Sequence, residues 1–317
     1  MLDQMGRNIH YLRLSLTERC TLKCEYCRAG EGNCPKNKEL TAADFQRIVR
    51  VMAGFGIKKI RLTGGEPLLR RDIIEIIAFL SATEGIEEIA MTTNAQQLPG
   101  NAKALKAAGL TRLNISLDSL DPKKYRSMTG GGELQRVLDG IEEAVEVGLL
   151  PVKVNAVLMR GRNDDEIDRF IDLAKDKPLD MRFIELMPMG ENLDLSMRVT
   201  TDEVLSARPW LKPIPPRYKG QPSMDYMVEG YQGRIGFISP MSHKFCGDCN
   251  RVRVMSDGML RPCLGDNAEI SLLSALKETT DDLLKETISN AIYHKPFSHH
   301  FDDAAYGSKK NMSQIGG

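Results

Sequence analysis

The sequence predicts an α/β fold: six consecutive βα units around a polar cavity, with a smaller C-terminal domain after about residue 208. Three observations predict it. From residue 11 to about 208, short β-branched or Leu-rich runs alternate with longer amphipathic stretches, the pattern of a parallel sheet with helical crossovers. Polar residues recur at every second position of those runs. Beyond residue 208, Pro209, Pro213, Pro215, Pro216 and Pro222 break the repeat into a loop-rich segment. The boundary placed there gives domains 1–208 and 209–317, which a chain of 317 residues accommodates.

The predicted strands are 12–16, 57–62, 87–92, 112–117, 152–158 and 181–187. Between the first two, 41–55 reads as a helix: Thr41 can cap it, and Phe45, Ile48, Val49 and Met52 form one apolar stripe. Segments 72–80, 101–108, 133–147 and 164–175 read the same way, several closing on Gly. A further helical stretch, 269–293, and a polar tail, 309–317, complete the chain. Successive strand side chains point to opposite faces. In the first strand Leu12, Leu14 and Leu16 share one face, and Arg13 and Ser15 the other. Ile60 and Leu62 alternate with Arg61 and Thr63, and Ile89 and Met91 with Thr92 and Asn94. Leu113, Ile115 and Leu117 alternate with Asn114, Ser116 and Asp118, and Val152 and Val154 with Lys153 and Asn155. In a helix-covered parallel sheet the apolar parity faces the helices, so the polar parity lines the interior. A packed barrel fills that interior with Val, Ile and Leu. Charged and amide groups there imply a wet, ligand-holding cavity.

Lys plus Arg and Asp plus Glu balance at 43 each, and aromatics make up 6%. A neutral chain does not suit a nonspecific nucleic-acid binder, whose affinity comes from neutralising phosphates, so no nucleic-acid partner is expected. No stretch approaches the roughly 18 apolar residues of a membrane span, and the N-terminus lacks a basic-then-apolar leader. We expect a cytoplasmic protein with no membrane partner. In that reducing compartment seven cysteines are poor disulfide candidates. Six fall into two groups of three, Cys20/Cys24/Cys27 and Cys246/Cys249/Cys263, leaving Cys34 as a free thiol.

The first group follows the first strand. Three thiolates can hold three irons of a cubane cluster and leave the fourth open to a small molecule's amine and carboxylate. Zinc suits three cysteines in eight residues badly without a nearby His. Gly64-Gly65-Glu66-Pro67 follows the second strand, where two glycines allow close backbone approach to a ligand and Pro67 stiffens the turn. The second group leaves two readings open. His243 can complete a Cys3His zinc site with Cys246, Cys249 and Cys263, or the three thiolates can hold another open cluster. In Asn250-Arg251-Val252-Arg253-Val254 both arginines share a face if the segment is extended. That is either a solvated edge strand or a pair of forks for phosphate. Terminal glycines, having no side chains, can thread into a narrow cavity and present a carboxylate to its arginines.

The cysteine spacing with Tyr26 before the third Cys, together with Gly-Gly-Glu-Pro, is similar to the signature of the radical S-adenosylmethionine superfamily. Through RLSLTERCTLKCEYC, RLTGGEPLLRRD, TTNA, NISLD, VKVNAV, RFIELM, FCGDCNRVRVMSDG and the final Gly-Gly, nearly the whole chain resembles the GTP 3′,8-cyclase family. The resemblance implies an incomplete (βα)6 TIM-type barrel with a C-terminal auxiliary-cluster domain. It implies a lyase that cyclises GTP to (8S)-3′,8-cyclo-7,8-dihydroguanosine 5′-triphosphate in molybdenum cofactor (molybdopterin) biosynthesis. The implied cofactors are two [4Fe–4S] clusters, on Cys20/Cys24/Cys27 and Cys246/Cys249/Cys263, and S-adenosyl-L-methionine on Tyr26, Gly65, Ser116 and Met187. Arg13, Arg61, Thr92, Lys153, Arg251, Val252 and Arg253 would bind GTP, and Arg13, Gly316 and Gly317 would be catalytic. The implied partners are GTP, an external electron donor, cyclic pyranopterin monophosphate synthase as recipient of the product, and a second copy in a possible homodimer. Arg28 and Ala95 depart from the family pattern, which often has Met and Gly there, and the short loop 27–41 carries the extra Cys34; these bear on loop conformation. The alternative is a radical S-adenosylmethionine peptide-modifying enzyme with an auxiliary cluster, but such domains hold more cysteines than the three found after residue 208.

Overall fold

The computed structural model describes residues 1–27, 38–189, 194–301 and 310–316. Arg28, Cys34 and Gly317 lie outside the described residues.

The βα repeat runs β1 (Tyr11–Ser15), α1 (Ala42–Gly54), β2 (Lys59–Thr63), α2 (Ile73–Ser81), β3 (Glu88–Thr93), α3 (Ala102–Ala107) and β4 (Arg112–Ser116). It continues with α4 (Pro122–Met128), α5 (Leu134–Glu146), β5 (Val152–Leu158), α6 (Ile167–Asp172) and β6 (Leu179–Glu185). Local chemistry sets the boundaries. Thr41 accepts from Asp44 N at 3.2 Å while the Asp44 carboxylate accepts from Thr41 N at 2.9 Å, a reciprocal cap that starts α1. Asp121 caps α4, whose first residue is Pro122. The predicted helix 164–175 shortens to α6 because its acidic start, 164–166, forms a separate 3-10 turn.

Beyond β6 come α7 (Thr201–Ser206), β7 (Lys212–Ile214), β8 (Met224–Met227), β9 (Arg234–Ile238), β10 (Arg251–Val254), β11 (Met259–Arg261) and β12 (Ile270–Ser271). Then follow α8 (Leu273–Lys277), α9 (Asp282–Tyr293) and α10 (Met312–Ile315). The predicted helix 269–293 is therefore three elements. Its first residues pair with β11, and α8 ends at Glu278, whose backbone is extended. Arg47 of α1 holds the break open, donating to Leu276 O at 3.0 Å and pairing with Asp281 at 2.6 Å. None of the described helices is long and apolar enough to cross a membrane.

All strands join one sheet in the order β12-β11-β10-β1-β2-β3-β4-β5-β6-β9-β8-β7. The eight from β10 to β9 are parallel, and antiparallel strands finish each edge. Residues past 208 thus supply three strands to either edge of the barrel sheet. The apolar parity is fully buried: Leu12, Leu14, Ile60, Leu62, Met91, Leu113, Ile115, Val152 and Val154 are all in the core under the helices. The other parity faces the interior.

Candidate active site

Strand register places Arg253, Arg13 and Arg61 side by side on β10, β1 and β2. A second row, Thr92, Asn114, Lys153 and Asp180, crosses β3 to β6, and a third joins Ser116, Asn155 and Arg182. Neighbouring strands lie about 4.8 Å apart, so the cations crowd. Burial holds Arg13 well below the usual guanidinium range, and Arg253 and Arg61 add to the effect. Burial, then Arg251, brings Arg253 down to about 9. Burial, then Arg61 and Arg112, brings Arg182 to about 10. Lys153 falls to about 7 through burial, then Arg182 and Arg112; Asp180, 3.6 Å away, offsets this in part. On the same face Tyr11 Oη, Ser15 Oγ, Arg61 Nε, Thr92 Oγ1 and Asn114 Nδ2 are buried without a hydrogen-bond partner among the described residues. Each such group costs about 1–3 kcal/mol. A cationic interior with unmet donors and acceptors is built for a polar anion.

The first cysteine group leaves the C-terminal end of β1. Cys20, Cys24 and Cys27 are half-buried, and Cys27 N donates to Cys24 O at 3.1 Å, closing the turn. The reason for glycine at 64 and 65 is steric: a Cβ on Gly64 would overlap Thr17 O, and one on Gly65 would overlap Arg19 O and Glu18 O. Gly65 N donates to Thr17 O at 2.7 Å and Glu66 N to Arg19 O at 2.8 Å. The close approach these glycines permit is thus to the backbone of the cysteine loop itself. Burial pushes Glu66 up to about 7. Its carboxylate accepts from Thr93 Oγ1 and Asn94 N, both at 2.8 Å, locking the loop to the end of β3. Ala95 follows with φ 59°, the left-handed conformation in which glycine is free of strain, which accounts for the family's usual glycine here. Tyr26 Oη donates to Asp118 at 3.0 Å, and burial raises that carboxyl to about 6. Burial also pushes the Cys24 thiol well up, as do Asp118 and the other two cysteines. Three soft donors in one eight-residue loop fit iron.

The second group lies at the other end of the strands. Cys249 lies two residues before β10, which runs parallel to β1, and Cys263 lies two residues after the end of β11, whose Arg261 pairs with Arg253. The same turn recurs, with Cys249 N donating to Cys246 O at 3.1 Å. Burial raises the Cys249 thiol, but Arg251 and Lys295 outweigh it and bring the thiol down to about 6. Arg251 Nη2 reaches Cys249 Sγ at 3.5 Å. His243 Nε2 lies 3.0 Å from Asp202 Oδ1. β10 lies inside the sheet between β1 and β11, which replaces the solvated-edge reading of Arg251 and Arg253.

The tail returns to the cavity. Arg253 Nη1 donates to Gly316 O at 2.8 Å. Gly316 has φ 72°, and a Cβ there would overlap Thr63 Oγ1 and Ser15 Cβ, both on the polar face. Asn311 caps α10, and Ile315 packs with Met189, Met255 and Phe301.

Residues 14–174 match the model of the Radical SAM superfamily, and residues 179–301 that of Molybdenum Cofactor Synthesis C. A GTP 3′,8-cyclase of Alkaliphilus oremlandii is 47% identical over 322 residues, covering all of both chains. The chain belongs to the GTP 3′,8-cyclase family. Members from Petrotoga mobilis and Alkaliphilus metalliredigens are each 44% identical, again over the full length of both. Among solved structures, Streptococcus suis SuiB bound to S-adenosylmethionine superposes with a TM-score of 0.61 over 92% of this chain and 67% of that one. At 17% identity it shares the fold, an α/β radical S-adenosylmethionine barrel with a C-terminal extension.

In this member of the GTP 3′,8-cyclase family, the sequence-predicted Arg13, Arg61, Thr92, Ser116, Lys153, Arg251 and Arg253 all lie on the inward parity of their strands. Val252 is on the opposite parity, 1% exposed in the apolar core, which leaves only its backbone for a ligand. Met187 lies past the end of β6, so strand parity does not place it; it packs beside Met189 and Ile315, next to the tail. Sequence reasoning missed Arg112 and Arg182. The signal was there: taking the sixth strand from 179 puts Asp180 and Arg182 on the polar parity.

Proposed function

We propose that this chain converts GTP to (8S)-3′,8-cyclo-7,8-dihydroguanosine 5′-triphosphate in molybdenum cofactor biosynthesis. The observation that carries the reading is the Arg253–Arg13–Arg61 row, with Arg251 beside it, between two three-cysteine groups at opposite ends of the strands. At about 3.3 Å per strand residue the groups are separated by roughly 20 Å. A nucleoside triphosphate fits between them.

Cys20, Cys24 and Cys27 would hold one [4Fe–4S] cluster, and Cys246, Cys249 and Cys263 the other. Tyr26, Gly65, Ser116 and Met187 would bind S-adenosylmethionine. When bound, the clusters and S-adenosylmethionine would supply one-electron chemistry: hydrogen-atom abstraction at the 3′ carbon of GTP, bond formation to C8 of guanine, and an electron and a proton to complete the 7,8-dihydro product. The protein's own share is positioning and charge. Arg13, Arg61, Arg251 and Arg253 neutralise the triphosphate, and Val252 is available to it through its backbone. Lys153 and Thr92 fix the rest of the nucleotide. Gly316 closes the cavity against Ser15 and Thr63 and brings its carbonyl to Arg253, and Gly317 would share its catalytic role. Residues 1–208 would carry the S-adenosylmethionine site and residues 209–317 the second cluster. An external donor supplies electrons, and the product passes to cyclic pyranopterin monophosphate synthase.

The test is an anaerobic reaction of the reconstituted protein with GTP deuterated at the 3′ carbon. Deuterium should appear in 5′-deoxyadenosine, together with the cyclised nucleotide. Unlabelled 5′-deoxyadenosine, formed equally fast without GTP, would contradict the assignment.

A further inference from the structure

Three buried cations grip the second cysteine group by its backbone. Arg7 Nη1 donates to Cys246 O at 3.0 Å, Arg261 Nε to Cys263 O at 3.2 Å, and Lys295 Nζ to Pro262 O at 2.5 Å. Two of them are neutralised: Arg7 by Asp3 at 2.7 Å and Arg261 by Glu269 at 3.0 Å. Lys295 is not. It is 2% exposed, bonded to a neutral carbonyl, and no carboxylate among the described residues lies within ion-pair distance of it. A cation buried without a counter-charge is strongly unfavourable, so the anion that answers it must be something other than these carboxylates. The carbonyl it holds belongs to Pro262, the residue immediately before Cys263, so its charge sits beside the second cysteine group.

We propose that Lys295 is the counter-ion of the cluster held by Cys246, Cys249 and Cys263, and that its charge makes that cluster easier to reduce. The inference rests on the second-cluster reading above. Three thiolates outweigh the positive charge of a cubane core, so the assembly is anionic, and an added electron makes it more so. A fixed neighbouring cation in a low-dielectric site therefore favours the reduced form. Arg7 and Arg261, already paired, contribute hydrogen bonds and little net charge. Lys295 is a positioning residue; it reaches the cluster's surroundings from the segment after α9.

The test uses full-length protein reconstituted anaerobically and reduced stepwise with dithionite, which passes one electron to each cluster, while the two paramagnetic signals are followed separately. In Lys295→Met the reduction constant of the second cluster should fall at least tenfold, about 59 mV for one electron. The first cluster should not move, and Lys295→Arg should restore most of the loss. Lys295→Met with all its iron and an unchanged second potential overturns the proposal. If Lys295→Met loses the second cluster and Lys295→Arg keeps it, the positive charge is required to hold the cluster and the proposal stands. Loss from both variants would mean that the side chain's shape matters rather than its charge, and overturns it. Zinc in place of the second cluster in the unaltered protein would instead sink the cluster reading itself.

Discussion

Arg13 has a guanidinium neighbour on either side, Arg253 and Arg61, in one register row. Charge-assisted hydrogen bonds contribute about 1.5–3 kcal/mol each, so Arg13→Ala or Arg251→Ala should weaken GTP binding roughly ten- to a hundredfold. Guanosine binding should change little; equal losses for both ligands would show that the arginines serve the fold. Lys153 offers a pH test. In the free protein it titrates at about 7, depressed first by burial. An unfolded lysine titrates near about 10.4, so between those values the unfolded chain holds a proton that the folded one lacks, and the lysine's contribution to stability rises with pH. A bound polyanion pushes the other way and raises Lys153. GTP binding at pH 8 should therefore take up a proton, seen calorimetrically as an enthalpy that depends on the buffer, and Lys153→Met should abolish that uptake. These residues were legible in the sequence because period-two alternation marks a face. Lys295 and Arg7 were not: each is a single polar residue in a loop, and its meaning comes from carbonyls far along the chain.

At the scale of elements, the loop after β2 and the cysteine loop after β1 are one packed unit, joined where Gly65 meets the Arg19 and Glu18 carbonyls. Backbone cannot yield as a flexible side chain can, so Gly65→Ala should displace the cysteine loop at a cost of about 1–3 kcal/mol. Iron content should drop by half while the second cluster persists; full iron with normal S-adenosylmethionine cleavage would show that the two loops are independent. The tail makes a separate prediction. Deleting Gly316 and Gly317 should leave both clusters and uncoupled S-adenosylmethionine cleavage intact and reduce cyclised product by orders of magnitude. Loss of both activities together would point to misfolding. The six strands of the repeat and the faces they present followed from alternating runs. β7 to β9, β11 and β12 did not, because strands of two to five residues between prolines carry too few alternations to read. The break between α8 and α9 escaped for another reason: it is held by Arg47, more than two hundred residues away.

Over the whole molecule, residues beyond 208 complete the sheet at both edges: β10 covers β1 and β9 covers β6. A chain ended at residue 208 would expose two unpaired edges and should aggregate when expressed alone; a monomeric, cooperatively melting product would show that the barrel half folds unaided. About eight irons per chain should follow reconstitution, from two open cubanes; four irons with one zinc released by His243→Ala would restore the zinc reading. What the sequence could not reveal at this scale was which strand lies beside which, since β10 reaches β1 across most of the chain's length. That pairing makes the cavity a ruler. Extended strands have a fixed rise per residue and resist stretching, so the strand span between the two cysteine loops is graduated by the backbone. The interior thus gauges its ligand's length. Affinity should step down from GTP to GDP to GMP as the phosphate chain falls short of the Arg253–Arg13–Arg61 row, and a one-residue insertion in β1 ahead of Arg13 would turn Arg13 outward and put a leucine on the scale between Arg253 and Arg61.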